Sequence, residues 1–289
     1  MSENPLKAYF RRPEIYVTLP GRGSYWPDGS IDIPINGELA VYPMTAADEI
    51  ALRTPDALMN GDATITLLQS CVPAIKNAWD CPVCDLESLL IASRIASNGN
   101  TLDLSVNCPN CEHENEFTVD LRQQLDLLTA GPWNEAVDIN GLEFHFKPIT
   151  FRQNNDFNNR FFAVQRTLQQ LDQLEDRDER DRISKDMVTE VSAINQDILI
   201  ASIAAINVDD QHVTESEYIR EFLQNCDRKM NDKISGKFEE LRRTCRPKNL
   251  DIQCESCSFD FTVPFAMDYG SFFAQGSWTT TLARKFKSF

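Results

Sequence analysis

Two Cys-x-x-Cys turns lie far apart in the chain, and each separates two segments in which apolar and polar residues alternate. The first reads LDLSVNCPNCEHENEFTV and the second LDIQCESCSFDFTV. Alternation with a period of two predicts strands, so we expect hairpins over 101–121 and 250–265 with the cysteines in the connecting turns. Both segments end in Phe-Thr-Val, which indicates two copies of one local structure.

The cysteines of these turns form a ligand set suited to a structural zinc ion. Zn²⁺ prefers four soft ligands in a tetrahedron, and a Cys-x-x-Cys turn between strands offers two sulfurs on one side of the ion. We therefore predict a zinc-ribbon-like site at Cys108, Cys111, Cys254 and Cys257. Four thiolates leave no position open for water, so the ion is expected to be structural and not catalytic. Because the site closes a loop of roughly 140 residues, metal binding should be coupled to folding.

A third pair, Cys81 and Cys84, leaves an alternative ligand set open. This pair is nearer in sequence to Cys108 and Cys111, as in a compact zinc module. Against it, Cys84 runs directly into a predicted helix, whereas each of the other pairs occupies a hairpin turn. His113 could replace one cysteine ligand, and the thiols could also be ordinary buried or surface groups. We interpret the single cysteines as structural thiols; these are Cys71, Cys226 and Cys245.

The composition is that of a folded protein and argues against several functional classes. Of 289 residues, 42% are hydrophobic and 25% are charged, which is typical of a globular protein. A net charge of −16 would repel phosphates, so we expect no nucleic-acid binding. No segment resembles a signal peptide or is long and apolar enough to cross a membrane, so no membrane partner is expected. Nine cysteines in such a chain indicate thiols or a metal and not disulfides.

The predicted fold class is α+β, with short strands and helices, the pair of Cys-x-x-Cys hairpins and a central helical insertion between them. Shifts in composition and pattern divide the chain into five parts. These are an extended N-terminal arm over 1–40, an α+β domain with the first cysteine hairpin over 41–147, a helical region over 148–246, the second cysteine hairpin over 247–275 and a C-terminal docking tail over 276–289. The second hairpin is expected to return to the first.

Side chains that cap helices mark three expected helix starts. Thr45 has acidic residues in the turn that follows it. Asp85 precedes an apolar segment over 86–96 that reads as a buried helix and ends at a glycine. Thr214 with Glu217 has the spacing of a capping box.

The central region is expected to consist of long helices over 151–207. Its middle, 172–186, has no apolar face and is interpreted as a solvated helix end or as the turn of a helical hairpin. A further amphipathic helix is expected to end near residue 243.

The sequence contains no pattern that carries enzyme chemistry. Its three histidines belong to no HExxH-type motif, and no glycine-rich phosphate loop is present. Cys81 and Cys84 near a helix start leave thiol-redox chemistry as an alternative, because such a position lowers a thiol pKa. The residues before them look helical, however, and not like the strand of a thioredoxin-type unit. We therefore expect a protein without enzymatic activity.

Several segments in the first half are similar, in this order, to the baseplate hub proteins of T-even-type contractile-tailed phages. They are LPGRGSYW, GELAVYPMTAADEIAL, DLESLLIASRIASNG and LDLSVNCPNCEHENEFTVDL. The ending CESCSFDFTVPFAMDYGSFF resembles longer members, in which a second cysteine hairpin precedes paired phenylalanines, here Phe272 and Phe273. The segment from Trp79 to Cys84 departs from the family pattern, which leaves the choice of metal ligands open.

The resemblance implies a structural component of the virion that is located in the tail baseplate and assembled in the host cytoplasm. Its implied partners are other baseplate or tail hub subunits, and it is expected in several symmetry-related copies. The tail SWTTTLARKFKSF contains basic and aromatic residues but no acidic ones, and on an acidic protein we interpret it as a docking peptide. The alternative is an assembly chaperone for the baseplate hub that is absent from the finished virion.

Overall fold

The computed structural model describes residues 5–53, 61–171, 176–209 and 211–265, together with the backbone of 278–279. In these ranges the α-helices are α1 (Ala46–Leu52), α2 (Asp62–Cys71), α3 (Val83–Asn98), α4 (Leu121–Leu127), α5 (Phe151–Leu171), α6 (Arg177–Ser202), α7 (Ser216–Asn225) and α8 (Arg228–Thr244). The strands are β1 (Ile15–Thr18), β2 (Glu38–Val41), β3 (Thr101–Asn107), β4 (Glu114–Asp120), β5 (Val137–Ile139), β6 (Leu142–Phe146), β7 (Ile203–Val208), β8 (Gln211–Val213), β9 (Leu250–Gln253), β10 (Asp260–Val263) and β11 (Trp278–Thr279). Helices and small sheets are mixed along the chain, which confirms the α+β class.

The strands form small sheets that are almost entirely antiparallel. β1 pairs with β2 and β9 with β10, each in a two-stranded sheet. β5, β6, β7 and β8 form a four-stranded antiparallel sheet in that order. β3 pairs with β4 in antiparallel fashion, and the two residues of β11 pair with β3 in parallel. No sheet among the described residues has more than four strands.

Helix α3 is the central element of the first of two apolar clusters. The segment LESLLIASRIA within it is apolar on most sides, and such a helix is stable only when other elements surround it. Side chains from β1, β2, α2 and β3 pack with it, including Val17, Leu39, Leu68 and Leu102. Twelve of its sixteen residues are buried. The N-terminal half therefore folds around this helix.

The second apolar cluster lies between the four-stranded sheet and the helices that follow it. Phe144 of β6 and Ile206 of β7 pack there with Ile219 of α7 and Ile234 of α8. Cys84, at the start of α3, belongs to this second cluster, whereas Cys81 belongs to the first. The beginning of α3 thus joins the two clusters into one body.

The predicted N-terminal arm over 1–40 is in part wrong, because residues from Ile15 onward belong to the folded core. Ile15, Val17, Leu19 and Trp26 are buried, and β1 pairs with β2 across the intervening loop. The physical reason is that the aromatic and aliphatic side chains of this segment complete the apolar surroundings of α3. Burial of these side chains stabilises a compact arrangement over an extended one.

The central region is less purely helical than expected. The prediction of helix as far as residue 207 is wrong at its end, since α6 stops at Ser202 and β7 follows directly. The run Ile203–Val208 pairs with β6 in the four-stranded sheet. Strands from the predicted parts 41–147 and 148–246 therefore share one sheet, and the boundary between those parts does not separate two independent units.

One of the three predicted helix caps is confirmed and the other two are wrong. Thr45 caps α1 with a complete capping box, in which its side chain accepts from the backbone of Asp48 and the Asp48 side chain accepts in return. Asp85 does not cap α3, which begins after Pro82. Thr214 likewise does not cap α7, whose N-cap is Glu215 and has no side-chain capping bond.

Candidate metal centre

The first cysteine hairpin is built by β3 and β4, which pair in register from Thr101 with Asp120 to Asn107 with Glu114. Cys108 follows β3 directly, so it stands at the end of a well-paired ladder. Its backbone N–H donates to His113 O at 2.8 Å, and its carbonyl accepts from the N–H of Glu112 at 2.9 Å. Glu112, directly after Cys111, has φ 59°, a left-handed conformation in the turn that leads into β4.

The second hairpin repeats this turn with the same hydrogen bonds. The N–H of Cys254 donates to Phe259 O at 2.9 Å, and the carbonyl of Cys254 accepts from Ser258 N–H at 2.9 Å. Ser258 has φ 56° and holds the same place after Cys254 as Glu112 does after Cys108. The similarity of the two segments in sequence is thus a similarity of backbone conformation at the cysteines.

Backbone N–H groups point at the sulfurs in both turns. The N–H of Asn110 donates to Cys108 Sγ at 3.4 Å, and the backbone N–H of Ser256, two residues after Cys254, lowers the pKa of Cys254. Bonds of this kind stabilise a thiolate, because they place a positive partial charge against the sulfur. The turns are therefore suited to holding deprotonated cysteines.

The two turns bring the four cysteine sulfurs into one cluster. Cys108 Sγ lies 3.7 Å from Cys257 Sγ, and Cys111 Sγ lies 3.6 Å from Cys254 Sγ. All four sulfurs lie within 4.8 Å of one another. A disulfide requires about 2.05 Å between sulfurs, whereas a tetrahedron with Zn–S bonds of about 2.3 Å requires about 3.8 Å. The cluster therefore has dimensions that fit a bound metal ion.

The electrostatic surroundings also favour thiolates at the second hairpin. The side-chain amide of Asn110 donates to Cys257 Sγ at 3.6 Å and is the leading cause that lowers the pKa of that thiol. Burial, which would raise the pKa of Cys254, is outweighed by N–H groups of Cys257 and Ser256, so that this pKa is lowered to about 6. Metal binding requires deprotonated cysteines, and both shifts favour it. At Cys111 the backbone hydrogen bond of His113 is outweighed by hydrogen bonds with Cys257 and Cys254, which raise the pKa of Cys111 to about 12.

The alternative cysteine pair is not part of this cluster. Cys81 and Cys84 are both buried. Burial raises the pKa of Cys81 well above its ordinary value, and a hydrogen bond with Cys245 is the leading cause that raises the pKa of Cys84. His113 contributes its backbone to the first turn, and its ring is not among the grouped ligand atoms of the described residues.

The single cysteines lie in or against the two apolar clusters. Cys71 lies in the first apolar cluster, and burial raises its pKa to about 12. Cys245 is buried in the second cluster, where it accepts from Trp133 Nε1 at 3.2 Å and donates to Ala130 O at 3.0 Å. Cys226 is partly buried and packs against the same cluster.

Two asparagines next to the cluster were not singled out by the sequence analysis. Asn110 contacts Cys257 across the two hairpins, and Asn115 of β4 accepts from the N–H of Glu255 at 2.9 Å. Asparagines are common in polar turns, so their residue type alone carried no signal. Their position within four residues of Cys111 was the one available indication.

Comparison with known proteins identifies the family. The family model described as T4 bacteriophage base plate protein matches residues 28–274, which include both cysteine hairpins. No curated protein and no solved structure matches the chain. Among the described helices, none is long and apolar enough to span a bilayer. The match covers most of the chain, confirms the resemblance to phage baseplate proteins and supports a structural role in the virion tail. The chain belongs to the T4 bacteriophage base plate protein family.

Proposed function

We propose that this protein is a structural component of the hub region of a contractile phage tail baseplate and that it acts through contacts with other proteins. The observation that carries the proposal is the family match together with the cysteine cluster inside the matched residues. The cluster holds the segment after β3 against the segment after β9, which lie about 140 residues apart in the chain. A subunit of a large assembly benefits from such a rigid connection.

The metal in the proposed site is a structural zinc ion held by Cys108, Cys111, Cys254 and Cys257 in a ribbon-like pair of hairpins. A set of four thiolates favours zinc or an iron–sulfur centre over harder metals. The near-tetrahedral dimensions of the sulfur cluster support a single zinc ion. With four protein ligands the ion has no open position, so it supplies stability and no catalysis.

The proposed partners are neighbouring baseplate or tail hub subunits, present in several symmetry-related copies. Large apolar side chains exposed on the surface support a role in protein contacts, in particular Tyr9, Phe10, Tyr16 and Ile35. The segment over 276–289 is proposed to dock on a neighbouring subunit. Within it, Trp278 and Thr279 pair with β3 of the same chain, while the rest lies outside the described residues.

Mass spectrometry of purified phage particles tests the location. A baseplate component should be present in particles at a constant ratio to other baseplate proteins. Presence in infected-cell lysate together with absence from particles would overturn the proposal in favour of the assembly chaperone.

Deletion of residues 277–289 is expected to impair incorporation and to leave the soluble fold intact, and normal incorporation would refute the docking role of the tail.

We propose no enzymatic activity for this chain. The competing thiol-redox function needs an accessible thiol with a low pKa. The burial of Cys81 and Cys84 and the raised pKa of each thiol support the non-enzymatic alternative. Alkylation of both thiols should be slow at neutral pH in the folded protein, and rapid modification of Cys81 or Cys84 would favour the redox function.

A further inference from the structure

A buried amide connects the two cysteine hairpins without touching a sulfur. Asn115 of β4 is 2% exposed. Its Oδ1 accepts from the backbone N–H of Glu255 at 2.9 Å, although the two residues are 140 positions apart in the chain. Glu255 follows Cys254 directly, so this hydrogen bond fixes the turn that presents Cys254 and Cys257.

The orientation of the Asn115 amide is determined by its other contacts. Its Nδ2 donates to His113 O at 3.0 Å and to Val106 O at 3.4 Å, both within the first hairpin. Reversal of the amide would place its NH₂ against the N–H of Glu255 and its oxygen against two carbonyl oxygens. Only one orientation satisfies the group, and in that orientation Oδ1 faces the N–H of Glu255 in the second hairpin.

Asn110 differs from Asn115 in the atom that it contacts. Its side-chain amide donates to Cys257 Sγ at 3.6 Å, so its contribution depends on a sulfur and on the charge of that sulfur. Asn115 bonds to a backbone group, and that bond is independent of metal and of thiol protonation. Substitution of Asn110 therefore tests the hydrogen bond to a ligand sulfur, whereas substitution of Asn115 tests the arrangement of the two hairpins.

We propose that Asn115 is a positioning residue that holds the two cysteine hairpins in the metal-binding arrangement before any metal binds. The inference rests on the proposed metal site and adds how that site is formed. Small zinc modules commonly unfold without their ion. In this chain the Asn115–Glu255 hydrogen bond and the packing of Leu250 and Phe265 with the first apolar cluster keep the second hairpin docked. The metal then enters a preformed site.

Hydrogen exchange of the Glu255 amide in metal-free protein is the decisive measurement. The full-length chain is freed of metal with a chelator, and exchange is followed by NMR. In the wild type the Glu255 amide should exchange about 5-fold more slowly than in Asn115→Ala, since one buried hydrogen bond is worth about 1 kcal/mol. Asn110→Ala is the matched control and should leave this amide protected, because it keeps the Asn115–Glu255 bond.

Zinc affinity gives a second readout. Asn115→Ala should bind zinc about 10-fold more weakly in competition with a chelator, as is usual when a group that orients the ligands is removed. Asn110→Ala should lose zinc affinity, because Asn110 contacts Cys257 Sγ, without loss of protection at the Glu255 amide, and this difference distinguishes the two roles. An Asn115→Ala variant with wild-type zinc affinity would overturn the positioning role.

If Asn115→Ala fails to fold, amide exchange in the wild type alone still tests the proposal. The Glu255 amide in metal-free wild-type protein should exchange more slowly than an unprotected amide of the same sequence. Exchange at the unprotected rate would overturn the proposal. A chain that shows this protection but binds no zinc would disprove the metal site and leave the role of Asn115 between the hairpins intact.

Discussion

At the scale of single residues, the buried carboxylate of Asp85 holds the N-terminal loop against α3. It accepts from the backbone N–H of Gly21 at 2.6 Å and from Trp26 Nε1 at 2.9 Å. Burial raises the pKa of Asp85, while the same two hydrogen bonds oppose that rise. The carboxylate thus satisfies two donors that would otherwise be buried without a partner.

Asp85→Ala should lower the free energy of unfolding by about 2–4 kcal/mol, since each donor left without a partner costs about 1–3 kcal/mol. The exposed Asp126 of α4 provides the control, and Asp126→Ala should change stability by no more than about 0.5 kcal/mol. Urea denaturation measures both. Equal losses in the two variants would contradict the anchoring role of Asp85.

Glu87 is the second residue whose surroundings predict a measurable effect. One of its carboxylate oxygens is buried and has no hydrogen-bond partner among the described residues. The side chain borders a cavity of about 140 Å³ that is also lined by Asn154, Arg242 and Arg246. Burial raises the pKa of Glu87 to about 7, and the charge of Arg246 reduces this rise.

This raised pKa makes stability depend on pH. The folded state binds the Glu87 proton more tightly than the unfolded state, whose pKa is near 4.5. The stabilising contribution is therefore complete below about pH 4.5 and is lost as the pH rises through about 7. Relative to the wild type, Glu87→Gln should become more stable by about 2 kcal/mol between pH 5 and pH 8.

Thermal unfolding of the wild type and Glu87→Gln across this range provides the test. The exposed Glu221 of α7 offers a control, because Glu221→Gln should show no comparable trend relative to the wild type. A constant difference between wild type and Glu87→Gln from pH 5 to pH 8 would mean that the Glu87 carboxyl titrates at its ordinary value in the folded protein.

The roles of some residues could be predicted from the sequence, and those of others could not. The cysteines of the cluster followed from spacing, because Cys-x-x-Cys in a hairpin has few other uses. Asp85 was assigned as a helix cap because a capping aspartate and a buried aspartate are alike in sequence. The left-handed residues Glu112 and Ser258 were missed, since glycine is the usual signal for that conformation.

At the scale of elements, a charged network joins α5, α6 and α7. Arg160 of α5 contacts Glu190 at 2.9 Å and Asp197 at 2.7 Å, both on α6, and Arg220 of α7 contacts Asp197 at 2.7 Å. Partial burial of Asp197 would raise its pKa, but hydrogen bonds from the two arginines outweigh that effect and lower it. Asp197 thus connects three helices through one carboxylate.

Asp197→Ala should reduce stability at neutral pH by about 1 kcal/mol, because two guanidinium groups lose their shared partner. Since the pKa of Asp197 is lowered, its contribution is present at neutral pH and should be lost as the pH falls through that lowered value. The effect should also shrink in about 1 M salt. Thermal unfolding at low and high salt checks this.

The pair formed by Arg228 and Asp232 within α8 is a suitable comparison, because both side chains are largely exposed at a separation of 3.7 Å. Asp232→Ala should change stability by less than about 0.5 kcal/mol. If Asp197→Ala proved as mild as Asp232→Ala and insensitive to salt, the network would not contribute to the packing of these helices.

The sequence predicts a helix or strand correctly where the local pattern and the tertiary pairing favour the same structure. The segment Leu142–Phe146 alternates apolar and polar residues, a pattern typical of a strand, and it forms β6. The run Ile203–Val208 follows a long helix directly, and its apolar residues suit either structure. Its pairing with β6 decides the outcome, and that contact spans about 60 residues that local reasoning does not connect.

At the scale of the whole molecule, the chain forms two apolar clusters that meet at the start of α3. The second cysteine hairpin returns to the first cluster, with Leu250 packed against it and Phe265 buried in it. The cysteine pairs alone predicted a return of this hairpin to the first cysteine hairpin. The integration of residues 15–41 into the core was not, because the sequence of a strand that packs on its own chain is like that of a strand that packs on a partner.

The metal content of the purified chain tests the central claim most directly. Elemental analysis should find about one zinc ion per chain, and X-ray absorption should show four sulfur ligands at about 2.3 Å. Cys254→Ser should lose the zinc, whereas Cys81→Ser should retain it. Zinc that remains in Cys254→Ser but is lost from Cys81→Ser would contradict the assignment of the four ligands.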